Sequence, residues 1–98
     1  MKIEFRRRHG STVESLRARI DAQVALYTAR FPHLNVGSHY RWTSANTAEG
    51  SYRGADGHLS IEASDIAVSL HLPFFARPFR SKIEEFLERE FEAITRTA

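Results

Sequence analysis

Hydrophobic and polar positions change period several times along this chain, and each change marks an element. Lys2 to Arg8 alternates strictly, with Ile3 and Phe5 on one side and Lys2, Glu4, Arg6 and Arg8 on the other. Period two is that of a strand with one wet face. After Gly10 the period lengthens. Val13, Leu16, Ile20, Val24, Tyr27 and Phe31 recur at spacings of three and four, which draws one apolar stripe along a helix. Arg17, Arg19, Asp21, Gln23 and Arg30 fall off that stripe. Ser11 and Glu14 have capping-box spacing at its start. Pro32 stops it, because proline has no N–H for the helical ladder.

The middle of the chain returns to period two. His33 to Ser38 reads as a loop, and Tyr40 to Thr43 as a strand with its aromatics on one face. Ser44 to Thr47 is turn chemistry. A short strand, Glu49 to Arg53, holds Tyr52, and Gly54 to Gly57 is a tight turn whose glycines supply positive φ. Leu59, Ile61 and Ala63 then alternate with His58, Ser60 and Glu62. Ser64 and Asp65 turn the chain again. Ile66, Val68, Leu70 and Leu72 alternate with Ala67, Ser69 and His71. The last helix packs through Ile83, Phe86, Leu87, Phe91 and Ile94, with Glu84, Glu85, Glu88, Arg89 and Glu92 outside. Ser81 and Glu84 form a second capping box.

Short turns between consecutive strands imply antiparallel neighbours. Each strand and each helix has one apolar face, so both helices should cover the same side of the sheet. The predicted fold is α+β: a two-layer sandwich of order β-α-β-β-β-β-α, with an antiparallel sheet of about five strands. Its expected core is Ile3, Phe5, Leu16, Ile20, Tyr27, Leu59, Ile61, Val68, Leu70, Ile83, Leu87 and Ile94.

Composition narrows the function classes. A chain of 98 residues, 42% hydrophobic, is one globular domain, residues 1–98, with room for two layers. Fourteen basic residues against twelve acidic ones leave a net charge of +2, too small an excess for a dedicated nucleic-acid binder. The absence of cysteine excludes disulfides and thiolate metal sites. His33, His39, His58 and His71 are scattered, and at most His58 and His71 could face each other on paired strands, so no metal is expected. The charged start is unlike a signal peptide, and no apolar run approaches a membrane span. The expected location is the cytoplasm. No Ser-His-Asp order, phosphate loop or isolated carboxylate pair stands out, so the chain reads as a non-enzyme without a cofactor.

Two groups of residues carry candidate chemistry. The first is the joint between the last strand and the last helix, where Phe74, Phe75, Arg77 and Phe79 lie between two prolines. So many aromatics in a connector either plug the core or meet a partner. Continued alternation from Leu70 and Leu72 sends Phe74 inward and Phe75 outward, so Phe75 is expected at an apolar contact. On that reading Phe75→Ser weakens an association, whereas Phe86→Ser unfolds the domain. The second group is basic. Arg6 and Arg8 share a face next to His9, and Arg41 and Arg53 would join them if their strands neighbour the first. The five form a candidate anion site, weighed against a plain solvated face. Arg7 points with Ile3 and Phe5 and is expected to snorkel outward.

The stretches Arg6-Arg7-Arg8-His9, Leu16 to Asp21, Tyr40-Arg41-Trp42, Arg53 to Gly57 and Leu70 to Glu84 resemble the polyhydroxyalkanoic acid system family. The joint before the last helix and His9 come nearest to a signature. That resemblance spans nearly the whole chain. It implies an accessory role around storage-polyester granules, through contact with granule proteins or the granule surface, while the expected Phe75 contact could equally join two copies as a homodimer. It carries over no catalytic residue. The layout also resembles a shortened helix-grip domain, which implies an alternative: a carrier of a small apolar ligand between sheet and last helix. A weak nucleic-acid or anion binder is the remaining reading.

Overall fold

A computed structural model describes residues 1–34 and 39–96. The centre of the loop expected from His33 to Ser38 lies outside the described residues. Strand β1 (Lys2–Arg8) leads into helix α1 (Val13–Arg30), followed by a short 3-10 turn at Pro32–Leu34. Strands β2 (Tyr40–Trp42), β3 (Thr47–Tyr52), β4 (Ala55–Ile61) and β5 (Asp65–His71) come next. A 3-10 segment, Phe74–Phe79, then runs straight into helix α2 (Arg80–Thr95). The predicted order therefore holds.

All strand pairings are antiparallel, in the order β1-β5-β4-β3-β2. The first strand thus pairs with the last. Two cross-sheet rows define the covered face. One runs Phe5, Val68, Leu59, Ala48 and Trp42, and the other Ile3, Leu70, Gly57, Gly50 and Tyr40. Between them lies a polar row on the opposite face: Glu4, Ser69, His58, Glu49 and Arg41. Alternation along each strand thus sorts the two faces.

Leu16 and Ile20 of α1, and Leu87, Phe91 and Ile94 of α2, join one buried cluster with Ile3, Ile61, Ile66 and Val68. Both helices therefore lie on one face of the sheet, as their stripes require. Burying each such side chain stabilises the fold by roughly 1.5–3 kcal/mol. Phe5, Leu59, Leu70 and Ile83 pack half-buried around the cluster.

Local details depart from the sequence reading at five places. Helix α1 is capped by Thr12, whose Oγ1 accepts the Ser15 N–H at 3.1 Å. Ser11 lies one residue before the cap, and its N–H is given to His9 Nδ1 at 3.2 Å. At α2 no side chain caps the helix. The Arg80 N–H bonds the Arg77 carbonyl of the preceding 3-10 turn, so Ser81 lies inside the helix and Glu84 pairs with Arg80 at 3.6 Å instead. The β3–β4 turn is two residues long. Arg53 and Gly54 have φ of 48° and 84°, a turn whose twist matches its strands, and Asp56 and Gly57 belong to β4. Strand β3 starts at Thr47, earlier than its apolar pattern suggests. Arg7 does not snorkel: its Nε–H is donated to Thr95 Oγ1 at 3.0 Å.

Candidate functional site

Antiparallel order gathers one set of strand ends together. Lys2 pairs with His71, His71 with Asp56, and Tyr52 with Ala55. Helix α1 runs back towards this end, and α2 starts from it. The end therefore collects Tyr27 of α1, Phe31 just past its last turn, Tyr52, the Phe74–Phe79 segment and Phe86 of α2.

Pairing stops at Leu72, whose N–H reaches the Met1 carbonyl at 2.8 Å. The 3-10 segment beyond it contains no buried residue. Phe74, Phe75 and Phe79 are 81%, 65% and 55% exposed. Phe75 points outward as the alternation implies. Phe74 does not turn inward, because once the ladder ends nothing imposes period two on the chain. Phe79 does not plug the sandwich either. Phe86 is 41% exposed and leans on Tyr27, ring centroids 6.1 Å apart, so it is no core residue. Arg77 is exposed on the same segment.

Behind this aromatic end lies an apolar groove of about 370 Å³. Ile20 and Val24 of α1 and Leu87 and Phe91 of α2 form its roof, and Ala48, Leu59 and Leu70 line its floor. The floor is low because Gly50 and Gly57 are direct partners across β3 and β4. A Cβ on Gly57 would come within 3.0 Å of Leu70 Cδ2, and one on Gly50 within 2.8 Å of the His39 carbonyl. Tyr52 and His39 stand at the mouth, their rings edge to face at 4.9 Å.

Polar latches set the height of that roof. Asp21 of α1 accepts hydrogen bonds from the Tyr40 hydroxyl and from Trp42 Nε1, the latter at 2.9 Å. Burial, reinforced by the bond to Asp21, pushes the Tyr40 phenol up to about 12. Arg17 stacks over Trp42 at 4.5 Å. On the other side, Glu90 of α2 accepts from Gln23 Nε2 at 2.7 Å and from the Tyr27 hydroxyl at 2.6 Å. Burial and then Glu90 raise the Tyr27 phenol. Helix α1 is thus tied to β2 along one flank and to α2 along the other.

The structure does not bring the five basic candidates together. Arg6 and Arg8 sit on β1 and Arg41 on β2, the two opposite edges of the sheet. Arg6 pairs with Glu62 at 2.7 Å and Asp65 at 3.2 Å, and these partners hold its proton above the ordinary arginine value, Asp65 most strongly. Arg41 pairs with Glu49 at 2.8 Å. His9 Nε2 lies 2.8 Å from the Glu62 carbonyl. Arg53 lies in the β3–β4 turn, its guanidinium 5.3 Å from the Tyr52 ring centre. His58 and His71 do not face each other, since Ser69 and Asp56 are their partners on the neighbouring strand. Among the described residues no group of three or more His, Asp or Glu could hold a metal.

The functional features missed by the sequence reading are the glycine pair and the two carboxylate latches. The glycine pair had a signal: counting back from a turn at Arg53-Gly54 sets Gly50 opposite Gly57. Asp21 and Glu90 had none, being ordinary polar positions on helices.

A small two-layer α+β domain with an aromatic end and an apolar groove is the class these features define. The chain belongs to the family described as "Putative polyhydroxyalkanoic acid system protein", whose sequence model matches residues 3–94. No curated protein and no solved structure matches it. No helix among the described residues is long and apolar enough to cross a membrane.

Proposed function

We infer that this chain is a non-enzymatic accessory protein of the polyhydroxyalkanoic acid system that docks on the surface of cytoplasmic polyester granules. One observation carries the reading: Phe74, Phe75 and Phe79 are exposed on a single segment. Contiguous exposed aromatics on a soluble domain mark an apolar contact, and family membership makes the polyester surface the natural counterpart. Pro73 and Pro78 stiffen the segment, so little chain entropy is lost when it docks. Arg77 presents a cation on the same segment. Four carboxylates are engaged structurally: Asp21 and Glu90 as latches, Glu62 and Asp65 with Arg6.

The test is co-sedimentation with purified polyester granules, comparing the unaltered protein with the Phe74→Ser, Phe75→Ser, Phe79→Ser triple variant. The triple variant should keep its circular dichroism spectrum and stay in the supernatant. Equal pelleting of both proteins, with both folded, overturns the reading. Pelleting that disappears once granules are stripped of protein moves the contact to a protein partner. Sedimentation velocity without granules separates both cases from a homodimer.

A further inference from the structure

The groove behind the aromatic end is a second feature, distinct from the exposed phenylalanines. We propose that it is a binding site for the aliphatic chain of a medium-length fatty carboxylate, with the carboxylate held at the mouth by Arg53.

The groove is a space of about 370 Å³, within the usual range of small-ligand sites. Its walls are hydrocarbon: Ile20, Val24, Leu59, Leu70, Leu87 and Phe91. A ligand lying there must itself be hydrocarbon, because a polar group would lose its hydration without gaining a partner. Ala48 lies deep and Tyr52 at the mouth of the same strand, a span of about 13 Å at the rise of a β-strand, which accommodates an extended aliphatic chain.

The mouth decides the head group. Tyr52 is sandwiched between His39, edge-on at 4.9 Å, and the Arg53 guanidinium at 5.3 Å. Arg53 makes no ion pair among the described residues within 4.0 Å, whereas Arg6 and Arg41 are both paired. Its backbone is fixed by the two-residue turn, with φ of 48°, a conformation that an arginine rarely adopts. An available cation stacked on Tyr52, a residue of the groove's lining, complements an anionic amphiphile. It disfavours a cationic one, and it gives a neutral alcohol no charge to pair with.

The glycine pair supports the same reading. Strand interiors disfavour glycine, which weakens them and often marks a close approach by another group. Here the close neighbours are the His39 carbonyl at Gly50 and the Leu70 side chain at Gly57, and what the pair contributes to the site is its low floor.

The experiment is titration of the intact protein with decanoate, decanol and decyltrimethylammonium, each below its micellar concentration. The fluorescence of Trp42, the only tryptophan and the partner of Ala48, reports binding alongside calorimetry. Decanoate should bind saturably at one site, decanol more weakly and the ammonium weakest. Two fillers approach the groove from opposite sides, Gly57→Val from the floor and Val24→Phe from the roof. Each should weaken decanoate by about tenfold or more. Either alone suffices as the test if the other fails to fold by circular dichroism. Arg53→Gln should weaken decanoate by about two- to fivefold and leave decanol unchanged, with Arg53→Lys restoring the difference. Absence of saturable decanoate binding, or unchanged affinity in a folded filler, overturns the proposal. So does equal affinity for the three head groups. Val24→Phe should still pellet with granules, and the triple phenylalanine variant should still bind decanoate, so failure of one reading leaves the other standing.

Discussion

Arg7 on the first strand and Thr95 at the end of the last helix are joined side chain to side chain, with Nε–H donating to Oγ1 at 3.0 Å. Thr95 is buried and passes its own hydroxyl proton to the Phe91 carbonyl at 2.6 Å. A residue that alternation assigns to the covered face thus finds a polar partner there.

Arg7→Ala removes this bond and the packing of the arginine stem. It should cost about 1–2 kcal/mol, seen as a melting temperature lower by roughly 5–15 °C in a domain of this size. Arg6→Ala combined with Arg8→Ala should barely move the melting curve, because exposed ion pairs contribute little. Thermal denaturation of the two variants side by side makes the comparison. A larger loss from the double variant would refute it.

The two raised phenols predict an alkaline limit. A group whose pKa is higher in the fold holds its proton more tightly there, so its stabilisation is complete below the unfolded value and declines as pH rises. For Tyr40 the decline should run from the ordinary 10.0 to about 12, and Tyr27 adds to it in the same direction. Urea midpoints measured across that range should fall, and Tyr40→Phe should fall less steeply. Ultraviolet titration of the phenolates should show late ionisation in the folded protein only. A slope unchanged in Tyr40→Phe would remove Tyr40 as its source.

Phe86 and Leu87 are neighbours with opposite fates. Leu87 is 6% exposed and Phe86 41%. Phe86→Ser should leave a folded, slightly less stable domain. Leu87→Ala should lose about 2–5 kcal/mol, since it leaves a cavity at the roof of the core. Chemical denaturation decides between them, and equal losses would mean that Phe86 is structural after all.

The β3–β4 turn offers a stabilising change. Arg53 occupies a left-handed position that asparagine adopts more readily, and Asn-Gly is the preferred pair for this turn. Arg53→Asn should raise the unfolding free energy by about 0.5–1 kcal/mol. Gly54→Val should lower it by more, because a β-branched residue is strained at a φ of 84°. A destabilised Arg53→Asn variant would show that the stack on Tyr52 matters more than the backbone.

Alternation and helical stripes carried the architecture because both follow from which side of an element is dry. Ile3, Leu16, Ile20 and Leu87 are buried for that reason, and both helices fall on one face. The same logic failed at Phe74, where strand pairing had already ended. It failed at Phe86, which lies next to the stripe but over the edge of the core. The caps slipped because Thr12 competes with Ser11 for one helix start, and because a preceding 3-10 turn can replace a cap at the other. The groove was foreseen only as an alternative implied by resemblance to a larger fold. Its cause, glycine opposite glycine, becomes readable once the turn is placed at Arg53-Gly54 rather than over Gly54 to Gly57. The basic candidates were grouped on the condition that their strands were neighbours, and the strand order separates them to opposite margins.

That strand order also governs how the molecule can stick to itself. Both outer strands are poor templates for adding another chain's strand. β1 carries charges at Lys2, Glu4, Arg6 and Arg8 along its length, and β2 is only three residues long. Growth sideways into fibres is blocked at both margins. The exposed phenylalanines lie instead at one end of the sheet, on the segment that follows β5. A domain built this way can expose phenylalanines at one end and still offer no long, uncharged edge strand for sideways growth.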